Sequence, residues 1–236
     1  MGKESVGMGD LFQEGGAMSI NESKGNMYEF VTHTWNAIKG KCPHECSYCY
    51  MKRWGEQPEL HLDKKELRAD LGKGNFIFVG SSCDMFANGV SDEWIQKVLD
   101  KCGNADLNDY LFQSKDTFRM YQFQKYFPEN SIVCTTIETD YPHPFIMGNT
   151  PNPKSRAEYL RNFKRRMITI EPIMTFSHYQ LCDIIALAEP EQVNIGADTG
   201  NNHLPEPSKD DVLRLIDELS KFTKVVQKKN LARLLK

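Results

Sequence analysis

From Tyr28 onward the hydrophobic and polar positions repeat one theme: a short β-branched or aromatic run, a loop, then a stretch with apolar residues every three or four positions. The runs YEFVTHTW (28–35), NFIFVGS (75–81), DYLFQS (109–114), SIVCTTIE (131–138), MITIEPI (167–173) and QVNIGA (192–197) predict six strands. Between and after them, helices are predicted at 57–71, 91–102, 117–127, 154–164, 178–188 and 208–228, the last with Val212, Leu215, Ile216, Leu219 and Phe222 on its apolar face. Strands alternating with helices of this length predict an α/β fold, a parallel sheet with right-handed crossovers that is either doubly wound or curled into a barrel. In both cases chemistry is expected at the carboxyl ends of the strands. Residues 1–26 are rich in Gly, Ser, Asn and Met and show neither period, which predicts an irregular leader before a single domain over 27–236.

Composition narrows the function classes. Forty percent of the 236 residues are apolar and 26% are charged, as in an ordinary globular protein. No run of about 18 apolar residues is present to span a bilayer. The first residues, MGKESVGMGD, lack the apolar centre of a signal peptide, so a cytoplasmic location with no membrane partner is expected. The net charge of −3 gives no overall attraction to nucleic acid. Seven cysteines are odd in number and too few for a disulfide scaffold, which points to reduced thiols used as ligands. Neither a dinucleotide-binding GxGxxG nor a phosphate loop follows the first strand.

The loop there reads GKCPHECSYCY and holds Cys42, Cys46 and Cys49. A structural zinc site would complete these three thiols with His33 or His44. Zinc modules usually bring their ligands in two short pairs, whereas Cys83, Cys102, Cys134 and Cys182 are scattered singly. A cubane iron–sulfur cluster normally takes four thiolates, so three leave one iron open to a ligand that is not protein.

C-x3-C-x2-C with Tyr48 directly before the third cysteine, following the first strand of a (βα)6 chain, resembles the radical S-adenosylmethionine (SAM) superfamily over residues 28–200. The resemblance implies a single-domain partial (βα)6 barrel of the TIM-like kind and a [4Fe–4S] cluster on Cys42, Cys46 and Cys49. It also implies SAM on the open iron, an electron donor such as a flavodoxin or ferredoxin, and a 5′-deoxyadenosyl radical that abstracts a substrate hydrogen. Tyr48 is expected beside the cofactor.

The same resemblance assigns the other strand ends. Gly80-Ser81-Ser82-Cys83-Asp84 is similar to the segment that receives the methionine amino group, with Ser82 and Asp84 as contacts; the other reading of Asp84 is a helix cap. Lys115 would meet the methionine carboxylate or substrate, or else is a solvated lysine. Alternation places Thr136, Glu138 and Asp140 on one face, where ribose hydroxyls would satisfy them. Glu171, an acid in an apolar run, needs a ligand or a basic partner. Asn194, beside Gly196, lies on the strand similar to the one that packs against adenine.

Thr-His-Thr-Trp-Asn, Thr-Ile-Glu and Ile-Glu-Pro together resemble a narrower group of small, mostly phage radical enzymes distantly related to the spore photoproduct lyase type. A modified nucleotide or DNA base is therefore the expected substrate, with thymidine hypermodification as the specific context. The alternative class is a zinc-stabilised nucleic-acid-binding protein. The loop YPHPFIMGNTPNP (141–153) is expected to be a lid, with His143 and Phe145 toward substrate. Lys154, Arg156, Arg161, Lys164, Arg165 and Arg166 are expected to form a solvated helix face.

Overall fold

A computed structural model describes residues 20–23 and 28–236. The rest of the expected leader lies outside the described residues. Ten strands form: Asn21–Glu22 (β1), His33–Trp35 (β2), Ile38–Lys39 (β3), His61–Leu62 (β4), Phe76–Val79 (β5), Asp109–Gln113 (β6), Ser131–Thr136 (β7), Arg166–Ile170 (β8), Gln192–Ile195 (β9) and Lys224–Gln227 (β10). The α-helices are Lys64–Leu67 (α1), Asp92–Gly103 (α2), Thr117–Gln122 (α3), Pro144–Met147 (α4), Pro153–Leu160 (α5), His178–Ala188 (α6) and Lys209–Ser220 (α7).

Eight strands make one sheet in the order β1-β2-β5-β6-β7-β8-β9-β10. Every pairing from β2 to β10 is parallel, and β1 joins β2 antiparallel. A doubly wound sheet reverses its strand order at a switch point; here spatial order follows chain order throughout, as in a barrel. No pairing joins β1 to β10, so among the described residues the barrel is partial. No described helix is long and apolar enough to cross a membrane.

All six expected strands form, and three regions differ from the hydrophobic pattern. Asn21–Glu22 pairs with His33–Thr34, so part of the segment expected to be irregular belongs to the sheet. The expected helix 57–71 is instead a small ribbon of β3 and β4 plus the single turn α1. Leu60 and Leu62 flank His61 with a period of two, and Asp63 starts the turn late by accepting from the N–H groups of Lys65 (2.9 Å) and Glu66 (3.1 Å). At the other end, α7 stops at Ser220, and Lys224–Gln227 becomes a seventh parallel strand in register with Gln192–Ile195. Thr223, Val225 and Val226 are β-branched and end the helical stretch.

Two apolar clusters cover the two faces of the sheet. The larger packs Ile77, Val79, Phe112, Val133, Ile168 and Ile195 against buried residues of α2, α5, α6 and α7. The smaller lies on the other face, where Tyr28 and Val31, with Phe30 beside them, pack on Phe78, Leu111, Ile132, Cys134 and Met167. The segment before β2 thus plugs the barrel and leaves the space above it, at the carboxyl ends of the strands, for a ligand.

Candidate active site

A cleft of about 790 Å³ opens at those strand ends. Cys42, Cys46, Tyr48 and Cys49 line it from the loop after β2, Ser82, Cys83 and Asp84 from the end of β5, and Lys115 from the end of β6. Thr136, Glu171 and Lys228 line it from the far side. Glu138 and Asn194, both expected to contact a cofactor, are not among its lining residues.

The cysteine loop is compact and fastened from outside. Cys42 accepts from the Glu45 N–H (3.2 Å) and Cys46 from the Cys49 N–H (3.2 Å), which folds the three thiols into successive turns. The loop after β7 then clasps it. Ser47 N–H donates to Ile146 (2.7 Å), Asn149 N–H to the His44 carbonyl (2.8 Å) and the Asn149 amide side chain to Pro43 (3.2 Å). Gly148 makes this approach possible: its φ is +65°, and a Cβ there would stand 2.0 Å from the His44 carbonyl oxygen. Loop 141–153 therefore holds the cysteines, the role opposite to a free lid. Phe145 is fully exposed, and His143 packs against Tyr141, their ring centroids 4.6 Å apart.

Asp84 ties the loop to the sheet. Its Oδ2 accepts from His44 Nε2 (2.8 Å), Ser114 Oγ (2.9 Å) and the Lys115 N–H (2.9 Å), and Oδ1 accepts from the Phe86 N–H (3.0 Å). Four donors occupy this carboxylate, and the cap of α2 is Ser91, so Asp84 fits neither a free cofactor contact nor a helix cap. Burial opposes its charge, and His44 together with the Lys115 N–H and the Ser114 hydroxyl outweighs this, holding the carboxyl below its ordinary range. His44 Nδ1 faces the Asn149 carbonyl at 3.1 Å. Both imidazole nitrogens are thus engaged with protein oxygen atoms. The other proposed zinc ligand, His33, bonds Thr32 Oγ1 at 2.9 Å and does not line the cleft.

Among the described residues no three His, Cys, Asp or Glu side chains converge on one ion position. A cubane asks for something else, because each thiolate binds a different iron and the sulfurs must surround a volume. Three thiols around a clasped loop, opening on one cleft, fit that requirement. A hydrogen bond from Cys83 lowers the Cys42 thiol below its usual range, which favours the thiolate that iron needs.

Behind the loop, Glu138 and Arg156 form a fully buried ion pair, Nη1 to Oε2 2.8 Å. Tyr48 donates to the other Glu138 oxygen. Arg156 also donates to the carbonyls of Thr136 (2.8 Å) and Pro151 (2.7 Å) and to Thr150 Oγ1 (2.7 Å). The strand β7 ends at Thr136, so the alternation that would have placed Glu138 in the cleft stops short of it. Arg156, expected on a solvated face, is completely buried.

On the far wall the basic partner of Glu171 is Lys228 (2.6 Å), with Asn230 on the other oxygen (2.8 Å). A Cβ on Gly196 would meet Glu171 Oε1 at 2.7 Å and Asn230 Oδ1 at 2.9 Å, so this pair fills the space that an adenine was expected to use. Asn194 bonds Gln192 (2.9 Å) and the Ile168 carbonyl (3.4 Å) within the sheet. Thr136 Oγ1 accepts from Gln113 (3.2 Å), whose oxygen accepts from the Tyr28 hydroxyl (2.8 Å). The Lys115 ammonium is different. It stands 5.5 Å from the centre of the Tyr48 ring and has no carboxylate partner within ion-pair distance among the described residues. Burial works against its charge, but Cys46 and Glu138 raise it above the ordinary lysine value.

Neither a family model nor a curated protein matches this sequence. Solved structures do match its backbone. A spore photoproduct lyase variant with bound AdoMet and dinucleoside spore photoproduct has 10% identity and a TM-score of 0.55 over 84% of this chain. A second variant reaches a TM-score of 0.59 at 9% identity, covering 89% of this chain and 80% of its own. The fold is that of spore photoproduct lyase. A spore photoproduct lyase complexed with the dinucleoside spore photoproduct gives 0.51 at 11% identity, over 87% of this chain. The chain spans 64% of the length of each of these two ligand-bound lyases.

Proposed function

We propose that this protein is a radical SAM enzyme. The observation that carries the reading is the convergence of Cys42, Cys46 and Cys49 with the unpaired Lys115 on one cleft at the carboxyl ends of a partial barrel with the spore photoproduct lyase fold. Cys42, Cys46 and Cys49 would hold a [4Fe–4S] cluster, which when bound supplies the electron that cleaves SAM to a 5′-deoxyadenosyl radical. Lys115 pairs with the methionine carboxylate, and Ser82 offers backbone and hydroxyl groups at the end of β5. Thr136 and the Gln113–Tyr28 relay present polar groups to the ribose side. Tyr48 and the plug below exclude water from one side of the site, which protects a radical from quenching. The reductant is a flavodoxin- or ferredoxin-type protein.

The substrate reading is a nucleotide or DNA base, supported by the dinucleoside bound in the ligand-bound lyases. Phage thymidine hypermodification is one reaction of this class. Anaerobic reconstitution with iron and sulfide tests the first half: a brown protein that releases 5′-deoxyadenosine from SAM is expected, and a colourless zinc protein would refute it. Cys46→Ala should abolish iron binding, whereas Cys102→Ala, buried in the core away from the cleft, should leave it unchanged. Deuterated nucleosides and DNA test the second half, through deuterium recovered in 5′-deoxyadenosine. Transfer only from a peptide or small metabolite would remove the nucleic-acid substrate.

A further inference from the structure

Beside the cleft lies a second cavity of about 770 Å³, walled by the loop after β9 and by the turn at Lys229–Arg233. Asp198 and Thr199 line both cavities, so the two share a wall. Its carboxylates are already engaged. Asp198 accepts from Gly200 N–H (2.9 Å) and from the backbone and side-chain amides of Asn202 (2.6 Å each), and Glu206 is held by Arg233 (2.7 Å). Lys229, on the same wall, has no carboxylate within ion-pair distance among the described residues. Arg53, in the turn Tyr50–Trp54, donates to Thr199 Oγ1 of the shared wall at 3.2 Å and has no carboxylate within ion-pair distance among the described residues. Glu56 shares that lip.

Two further features bear on a ligand. Trp54, next to Arg53, is 77% exposed, a large aromatic surface left in water. His203 holds a φ of +53°, a conformation that costs a non-glycine residue about 1–3 kcal/mol and that clusters at functional sites.

We propose that this groove holds the sugar–phosphate strand of a nucleic-acid substrate, with Lys229 and Arg53 on phosphates and Trp54 stacked on a base. Unpaired cations interleaved with an exposed aromatic are the combination that binds single strands. The wall shared at Asp198 and Thr199 sets such a strand beside the cleft, where one of its nucleosides is the substrate. This deepens the nucleic-acid reading above and depends on it.

The test uses the reconstituted protein and a fluorescent, short single-stranded oligodeoxynucleotide, with a nucleoside triphosphate and inorganic phosphate as competitors. Lys229→Ala and Arg53→Ala should each weaken binding about tenfold and reduce the slope of log K against log salt by about 0.7. Trp54→Ala should weaken binding about tenfold with the salt slope unchanged. Iron content and SAM affinity, measured on the same samples, show that the variants are folded. Oligonucleotide affinity equal in all four proteins overturns the proposal. So does complete competition by the triphosphate at equal concentration, which would make the groove a mononucleotide site. Failure of the radical reading is separate, and is seen as no 5′-deoxyadenosine from the unaltered protein.

Discussion

On the cysteine-loop wall, Asp84 has four protein donors and Glu138 is locked to Arg156 and Tyr48, so the carboxylates organise the site and are not free to bind. At the lip near Arg53 and Lys229, Asp198 and Glu206 are again engaged, but these two cations remain without ion-pair partners among the described residues. A buried acid must be satisfied or it destabilises the fold, whereas a cation at a solvated rim carries little cost until a ligand arrives. The first wall is locked by its own hydrogen bonds and ion pairs, whereas the lip keeps unpaired charge at its surface.

Breaking the locked wall should have the largest effect. Gly148→Ala drives a methyl into the His44 carbonyl and should cost about 4 kcal/mol with loss of the cluster, seen as a lowered melting temperature and absent iron. Arg156→Met leaves the Glu138 carboxylate buried and unpaired, and denaturant unfolding should show a loss of about 3–5 kcal/mol. Asp84→Asn keeps the shape but removes the charge facing His44, and a loss of about 2 kcal/mol with faster iron release to a chelator is expected. Lys115→Met sharpens the contrast, since its ammonium has no carboxylate partner to lose. Stability and iron content should hold while SAM affinity, measured by equilibrium dialysis, falls about tenfold. Retained SAM affinity in Lys115→Met would transfer the carboxylate contact to another group.

Much of this plan was legible in the chain. The period-two runs located all six expected strands, and C-x3-C-x2-C marked the loop that the fold brings to the cleft. Long-range pairing was not legible. Whether Arg156 faces water or Glu138 depends on how α5 packs under β7, and the charge run around it reads the same in both cases. Lys228 and Asn230 were hidden because Phe222 continued a helical period, and only the β-branched run after it signalled another strand. The expectation for Glu171 succeeded because burial cost requires a partner without specifying which one. The prolines of 141–153 correctly signalled a stiff loop, but not which neighbour it stiffens.

The plug under the cleft also bears on the order of assembly. Tyr28 bonds Gln113 and approaches Cys134, 85 and 106 residues away, and His44 bonds Asn149 across 105. Contacts of such sequence separation form late, because loop closure costs entropy before the contact returns any stability. The thiols that come early in the chain thus wait for the strands β6 and β7 and for the loop beyond them before they acquire a fixed arrangement. Iron offered to a nascent chain would meet three tethered but unarranged thiols. On the proposed function, cluster loading is thereby linked to completion of the sheet.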